Sequence, residues 1–407
     1  MSSEKPNRVT PKSLSQPMSR RRFLEWAGAA AAGLLISSCT PEPPAALTEI
    51  APTIDPASAE GGLAATATAP AESAVVPPLS TGRTSQVAIG TARSYDRTTI
   101  YNVVRDMLDD LGGFGDVVGP GDRVAIKTNL TGGLGNEGPP GLSPMESFVT
   151  HPEVVRALGA LARDAGAREI FIVEAVYQWG SYTQWGYEEI AEDIGAMLID
   201  LNAPDPYGDF VDAAVPDGGR FYDSFIFNPL LLEVDAFMSV GKMKCHWTAG
   251  VTHALKNLFG LVPARFYRLS ERDNHRSAFH GPTEEIAGER VPATIIDLCR
   301  TRPIDFALVD GVMTTEGGEG PWIQTFGPIA PGVLFAGKDP VATDAIATLA
   351  QGFDPAAPAM TLPFVRSTNY IAMAAAAGLG THRVEDIEVL GASVEEVKRD
   401  FRPCVIM

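Results

Sequence analysis

The sequence predicts an α/β fold, a mostly parallel sheet flanked by helices with a possible β-rich insertion. Three observations carry this. From Ser85 onward, short apolar runs alternate with stretches of helical spacing. Runs such as Arg123–Lys127 are apolar throughout their interior, as strands covered on both faces are. The chain has 407 residues and 45% hydrophobic content, enough for a large core or two domains.

Val87-Ala88-Ile89 is the first strand. Ile100, Val103, Val104, Met107, Leu108 and Leu111 then recur at helical spacing over Thr98–Leu111. Arg123–Lys127 is a buried strand. Thr150-His151-Pro152-Glu153 reads as a capping box with an early proline, opening a helix that runs to about Ala165 and stops at Gly166. Glu169–Val173 is the next strand. Further strands are expected near Met197–Leu201, Ala236–Val240, Phe306–Val309 and Gly332–Phe335. Helices are expected near Trp247–Phe259, Ala293–Cys299 and Pro340–Ala350. The stretch Asn202–Asn228 reads as an irregular or hairpin-like insertion.

Asp and Glu outnumber Lys and Arg by 50 to 32, for a net charge of −18. This argues against a nucleic-acid partner, which requires a basic surface. Ser19-Arg20-Arg21-Arg22-Phe23-Leu24 matches the twin-arginine export pattern. The weakly apolar run Trp26–Ile36 follows, too short for a spanning helix of about 20 residues, and reads as a signal-peptide core. Ile36-Ser37-Ser38-Cys39 fits lipoprotein cleavage, with Cys39 as the lipidated first residue of the mature chain. An ordinary cleaved signal is the alternative. Residues 40–84 form a Pro/Ala/Thr/Ser/Glu tract that cannot bury enough apolar surface to fold, and read as a tether.

The expected organisation is therefore a signal at 1–38, a tether at 39–84, an α/β domain at 85–395 and a tail at 396–407. Cleavage after Ser38 leaves 26 basic and 48 acidic residues, net −22. The expected location is the outer face of the cell membrane or the periplasm. The lipid, rather than the acidic surface, would hold the chain to the membrane, and the twin-arginine machinery would be its export partner. Cys404-Val405-Ile406-Met407 matches the prenylation pattern, but prenylation belongs to a compartment at odds with this export route.

Ligands of open α/β sheets bind beyond the carboxyl ends of strands. Three such ends are polar or Gly-rich: Lys127-Thr128-Asn129 running into Thr131–Gly141, Gly241–His246, and Asp310 running into Glu316–Pro321. Residues 236–270 contain no Asp or Glu but carry Lys242, Lys244, Lys256, Arg265 and Arg268, a local reversal of charge. On a helix over Thr248–Leu258, His253, Lys256 and Asn257 share a face opposite Val251, Leu255, Leu258 and Phe259, and His246 joins it where the helix begins that early. The segment reads either as a solvated basic face or as a cationic pocket for a carboxylate or phosphate. A lysine crowded by other cations can also lose its proton and act as base or nucleophile.

Asp310, Glu316, Asp339 and Asp344 form an acidic counterpart, able to bind a divalent cation, to serve as acid and base, or to pair with the lysines. Asp339 also suits a helix N-cap. The Gly-rich Thr131–Gly141 lacks the order of a phosphate-binding P-loop. The candidate catalytic groups are thus Lys244, His246, Lys256, Asp310 and Glu316. Lys127, Asn129, Lys242, His253 and Asn257 are candidates for binding a small anionic ligand, and Asp339 and Asp344 for a metal.

Apart from Cys39 the cysteines are Cys245, Cys299 and Cys404, without a C-x-x-C, so a four-cysteine iron–sulfur cluster is not expected once Cys39 is lipidated. Cys245 lies between Lys244 and His246, which would lower its pKa.

Several elements together resemble the domain of unknown function 362. They are Lys127-x-Asn129, Lys242-x-Lys244-x-His246, Thr252-x-Ala254-x-Lys256-Asn257-Leu258-Phe259-Gly260, Asp310-Gly311, Glu316-Gly317-x-Glu319-Gly320-Pro321 and Asp339-Pro340-Val341-Ala342-x-Asp344. The resemblance covers roughly residues 85–390. Some relatives carry ferredoxin-like cysteine clusters. This sequence has none, which disfavours a redox accessory role. The resemblance implies a grouping by fold and leaves the reaction open. Two readings follow: a site for a small anionic ligand that could also be catalytic, or a non-catalytic solute-binding or assembly lipoprotein.

Overall fold

A computed structural model of the chain describes residues 84–271 and 275–405. The export signal, Cys39 and the tract after it up to residue 83 lie outside the described residues. The strands are β1 (Ser85–Thr91), β2 (Arg123–Lys127), β3 (Glu169–Glu174), β4 (Met197–Asp200), β5 (Val211–Ala214), β6 (Ser224–Phe227), β7 (Ala236–His246), β8 (Gly250–Thr252), β9 (Phe306–Glu316), β10 (Gly327–Ile329), β11 (Val333–Gly337) and β12 (Ile387–Gly391). The four longest helices are α1 (Arg97–Asp110), α2 (Pro152–Asp164), α3 (Glu284–Thr301) and α4 (Pro340–Ala350).

The main sheet runs β12-β1-β11-β9-β7-β2-β3-β4, with β10 added to β9 and β8 to β7. From β9 to β4 every neighbouring pair is parallel. β1 and β12 are also parallel to each other, and β11 is reversed against both β9 and β1. The mostly parallel α/β architecture follows directly from this topology. β5 and β6 form a separate antiparallel ribbon inside the expected insertion.

The strands are buried on both faces, which explains their continuous apolar character. Val124, Ile126, Ala236, Met238 and Val240 face a core shared with α1 and α2. Ala125, Phe237, Met243 and Cys245 face the opposite core, shared with α3 and α4. This alternation fixes where the polar strand ends point. Lys127 continues the Ala125 face, while Lys242 and Lys244 continue the Val240 face.

Two local expectations are corrected. The helix after the second strand is capped by His151, whose Nδ1 accepts from Glu153 N, and not by a Thr150 capping box. Thr150 Oγ1 instead accepts from Asn129 N at 3.0 Å and donates to Val240 O at 2.9 Å. The expected helix over Trp247–Phe259 is a hairpin: β7 extends to His246, turns, and pairs back through β8, and a short 3-10 helix follows over Lys256–Leu261. Gly250, at φ +82°, sits in the left-handed region that the reversal requires, and Val251 and Thr252 are β-branched. A third local finding concerns the C-terminal tail, where Phe401 and Cys404 are buried and Arg402 pairs with Glu316.

Candidate functional site

Sheet order changes direction at β2. Strands β3 and β4 add on one side of it, and β7 and β9 on the other. The crevice between β2 and β7 is therefore the topological switch point, where parallel sheets part and ligands bind. Asn257 closes the parting. Its Nδ2 donates to Lys127 O on β2 at 3.2 Å and to Ser239 Oγ on β7 at 3.1 Å. Its Oδ1 accepts from Lys127 Nζ and from Asn129 Nδ2, both at 3.1 Å. Asn129 Oδ1 in turn accepts from Lys244 Nζ at 2.8 Å. The two asparagines thus join Lys127 on one face of the sheet to Lys244 on the other, around the strand ends.

Two of the lysines are paired. Lys127 Nζ lies 2.9 Å from Glu174 Oε2, and Leu130 N donates to the same oxygen at 3.0 Å. Gly260 packs directly against this pair, and a Cβ there would collide with Glu174 Oε1 and Lys127 Nζ. Lys242 Nζ donates to Asp310 Oδ2, Tyr95 Oη and Met145 O, each at 2.9 Å. Tyr95 donates to Asp310 Oδ1 at 2.8 Å and stacks on His151 at 3.6 Å between centroids. Burial lowers the pKa of both lysines, with Glu174 and Asp310 opposing the shift. Burial and then Lys242 push His151 down to about 3, so it is a neutral ring at any ordinary pH.

The other two are not paired. Lys244 Nζ donates only to neutral oxygens, Asn129 Oδ1 and Phe148 O at 2.5 Å. Lys256 Nζ rests 3.7 Å from the Phe259 ring centroid and makes no hydrogen bond or ion pair among the described residues. The counter-charge with the largest effect on it is Glu319, whose oxygens accept from Trp247 N and Trp322 Nε1. Burial drives Lys244 well below its ordinary value. Burial brings Lys256 down to about 7, with Arg276 and Lys127 adding repulsion and Glu319 opposing it. His246 is pushed well down by burial and then by Lys256. Its Nδ1 accepts from Thr248 N and Ala249 N in the hairpin turn, so Nε2 carries the ring proton.

Lys127, Asn129, Lys242, Lys244, His246, Lys256, Asn257 and Asp310 therefore meet at the strand ends, as the sequence suggests. The remaining candidates do not. His253 is buried against Gln351, with Nε2 2.9 Å from its Oε1, on the α4 side of the sheet. It left the site because the segment is a hairpin and not a helix. Glu316 pairs with Arg402 and accepts from its backbone N. Asp339 caps α4, accepting from Val341 N, Ala342 N, Ser85 Oγ and Thr381 N. Asp344 accepts from Ala254 N and Leu255 N, and burial raises it to about 8. These bonds use the oxygens of both aspartates, and no group of three or more His, Cys, Asp or Glu that could hold a metal ion occurs among the described residues. Cys245 points to the face opposite Lys244, and burial pushes its thiol up, not down.

Four participants escaped the sequence reading: Tyr95, Glu174, Arg276 and the carboxylate of Glu319 as a site group. Glu174 carried a usable signal, as the residue that ends a fully apolar strand. Tyr95, in a loop before α1, carried none.

Fold and site together define an α/β protein with a buried, lysine-rich cluster at the switch point of a mostly parallel sheet. The family model described as Domain of unknown function (DUF362) matches residues 124–349, a span that holds all of these lysines. The chain belongs to this family. It is 30% identical over 278 residues to a thylakoid-associated protein of Synechocystis, a match covering 66% of this chain and 75% of that one. Among solved structures it is similar to the lactate racemase apoprotein of Thermoanaerobacterium thermosaccharolyticum, with 14% identity and a TM-score of 0.35. That match covers 63% of this chain and 54% of the racemase. A Thermotoga maritima protein gives 14% identity and a TM-score of 0.31, over 63% of this chain and 59% of that one.

Proposed function

We propose that the crevice binds a small anionic molecule through Lys244 and Lys256. The supporting observation is their lack of a carboxylate partner in a buried setting. Lys127, Lys242, Lys244, Lys256 and Arg276 are all buried, against Glu174, Asp310 and Glu319. Unpaired buried cations are costly, and a carboxylate or phosphate would supply the counter-charge. Lys244 has two acceptors and three ammonium protons, so one donor remains for a ligand. Thermal melts at low ionic strength with phosphate, acetate and pyruvate test this. One of these anions should raise the melting temperature saturably, by about 2.7 kcal/mol of stabilisation at 100-fold over Kd. The Lys244→Met protein should show no such rise. Equal shifts in wild type and variant would reject the site.

We also infer that the chain is an exported lipoprotein. The support is Ser19–Leu24, the Ile36–Cys39 pattern and the tether-like tract that follows. The thylakoid association of the Synechocystis relative is in keeping with a membrane-side location. Cys39→Ala should release the protein from the membrane fraction. Retention of the variant there would reject the lipid anchor.

A further inference from the structure

We propose that Lys256 is a carbonyl-reactive amine, which condenses with a small aldehyde-acid or 2-oxo acid whose carboxylate lies on Lys244. This deepens the anion-site reading and rests on it. Two features of the geometry and one of the electrostatics point to it. Lys256 keeps only 8% of its surface, yet its Nζ meets no hydrogen-bond acceptor or carboxylate among the described residues. An amine that donates nothing has its lone pair available once deprotonated. Phe259 covers one side of Nζ at 3.7 Å, which excludes water from that side. The third feature is electrostatic. Burial, with electrostatic repulsion from Arg276, Lys127 and Lys244, disfavours a further ammonium and favours the neutral nucleophile.

The same neighbours suit the chemistry that follows. The Nζ lone pair forms a bond to the carbonyl carbon, and the C=O π pair moves to oxygen. The nitrogen loses a proton, and the oxygen takes one up, giving a carbinolamine. Its hydroxyl then leaves with a second proton as water while the second N–H proton is lost, leaving a C=N bond. Amine and carbonyl give imine and water, with no oxidant or reductant involved. His246 interacts electrostatically with Lys256 and presents a protonated Nε2, fit to donate to the carbonyl oxygen. Glu319 is the carboxylate with the largest electrostatic effect on Lys256, and in this scheme it is the base that takes the proton from nitrogen.

Borohydride trapping on the full-length protein tests the proposal. Glyoxylate and pyruvate are the anionic probes, and propionaldehyde is a neutral control. The expected result is one reduced adduct with an anionic probe, mapped to Lys256 by peptide mass spectrometry, with little labelling by propionaldehyde. The adduct should vanish in Lys256→Arg, which keeps the charge but cannot form the imine, and persist in Lys338→Arg. A melt with phosphate on Lys256→Arg keeps the two readings apart. Phosphate stabilisation of wild type and variant without any adduct in wild type overturns the amine chemistry and leaves the anion site standing. Labelling spread over surface lysines such as Lys338 and Lys398 overturns it equally. Absence of both adduct and anion stabilisation in wild type overturns both readings.

Discussion

Asp310→Ala should destabilise the domain by about 3–5 kcal/mol, the usual cost of leaving one member of a buried ion pair without the other. Both Asp310 and Lys242 are fully buried, so water cannot replace the lost carboxylate. Asp310 also accepts from Tyr95 Oη, from His151 N at 3.0 Å and from Val312 N at 3.3 Å. Its loss therefore orphans several donors at once, and the charged one dominates. Urea denaturation measures the effect. Adding Lys242→Met should recover part of the loss, since the stranded ammonium goes, but Tyr95 and His151 N remain unsatisfied. A single-variant loss below about 1 kcal/mol would mean that solvent reaches Lys242, and that the pair is not the closed anchor its geometry suggests.

That anchor also separates two kinds of lysine that look identical in the sequence. Lys127 and Lys242 are tied to Glu174 and Asp310, and hold the strand ends in place. Lys244 and Lys256 face neutral groups and an aromatic ring. The first pair positions the crevice. The second pair is what the proposed anion site would offer to a ligand. Lys242 and Lys244, two residues apart on one strand, fall on opposite sides of this divide because only Lys242 lies across from Asp310 in the β7–β9 register.

The fold was legible where information is local. Arg123–Lys127 and Pro340–Ala350 have the expected bounds, because continuous apolar runs and an Asp-Pro cap are signals carried by neighbouring residues. The segment after Lys244 was not legible. Its apolar residues repeat at helical spacing, yet residues 250–252 pair back on 244–246, and the competing partner is the strand end itself. Tertiary pairing overrode the local period, as it does most readily in short segments. The error moved His253 out of the site and into contact with Gln351. It left Lys256 and Asn257 in place, because the 3-10 turn returns the chain to the strand ends by another route. Of the carboxylates, Glu316 ends β9 and Glu319 follows in the turn, and composition cannot tell which returns. The structure turns Glu319 toward Trp247 N and Glu316 toward Arg402.

Lys256→Met should stabilise the domain, and by an amount that depends on pH. The folded-state pKa of Lys256 is about 7, against 10.5 for an ordinary lysine. Between those values the unfolded chain holds a proton that the folded chain does not. Wild-type stability attributable to this group therefore rises with pH across the window, and the full penalty is present below pH 7. Methionine has similar length, no charge and a flexible apolar stem that suits the Phe259 face. The variant should gain on the order of 2–4 kcal/mol near pH 6, with the gain shrinking toward zero by about pH 10. Urea melts of wild type and variant at several pH values give the difference curve, in which contributions shared with other titrating groups largely cancel. A variant less stable than wild type at pH 6 would show that Glu319 and Phe259 hold a charged, structural ammonium. A gain of the expected sign would mean that the fold carries Lys256 at a cost to its own stability, which is how groups kept for binding or chemistry differ from groups kept for folding.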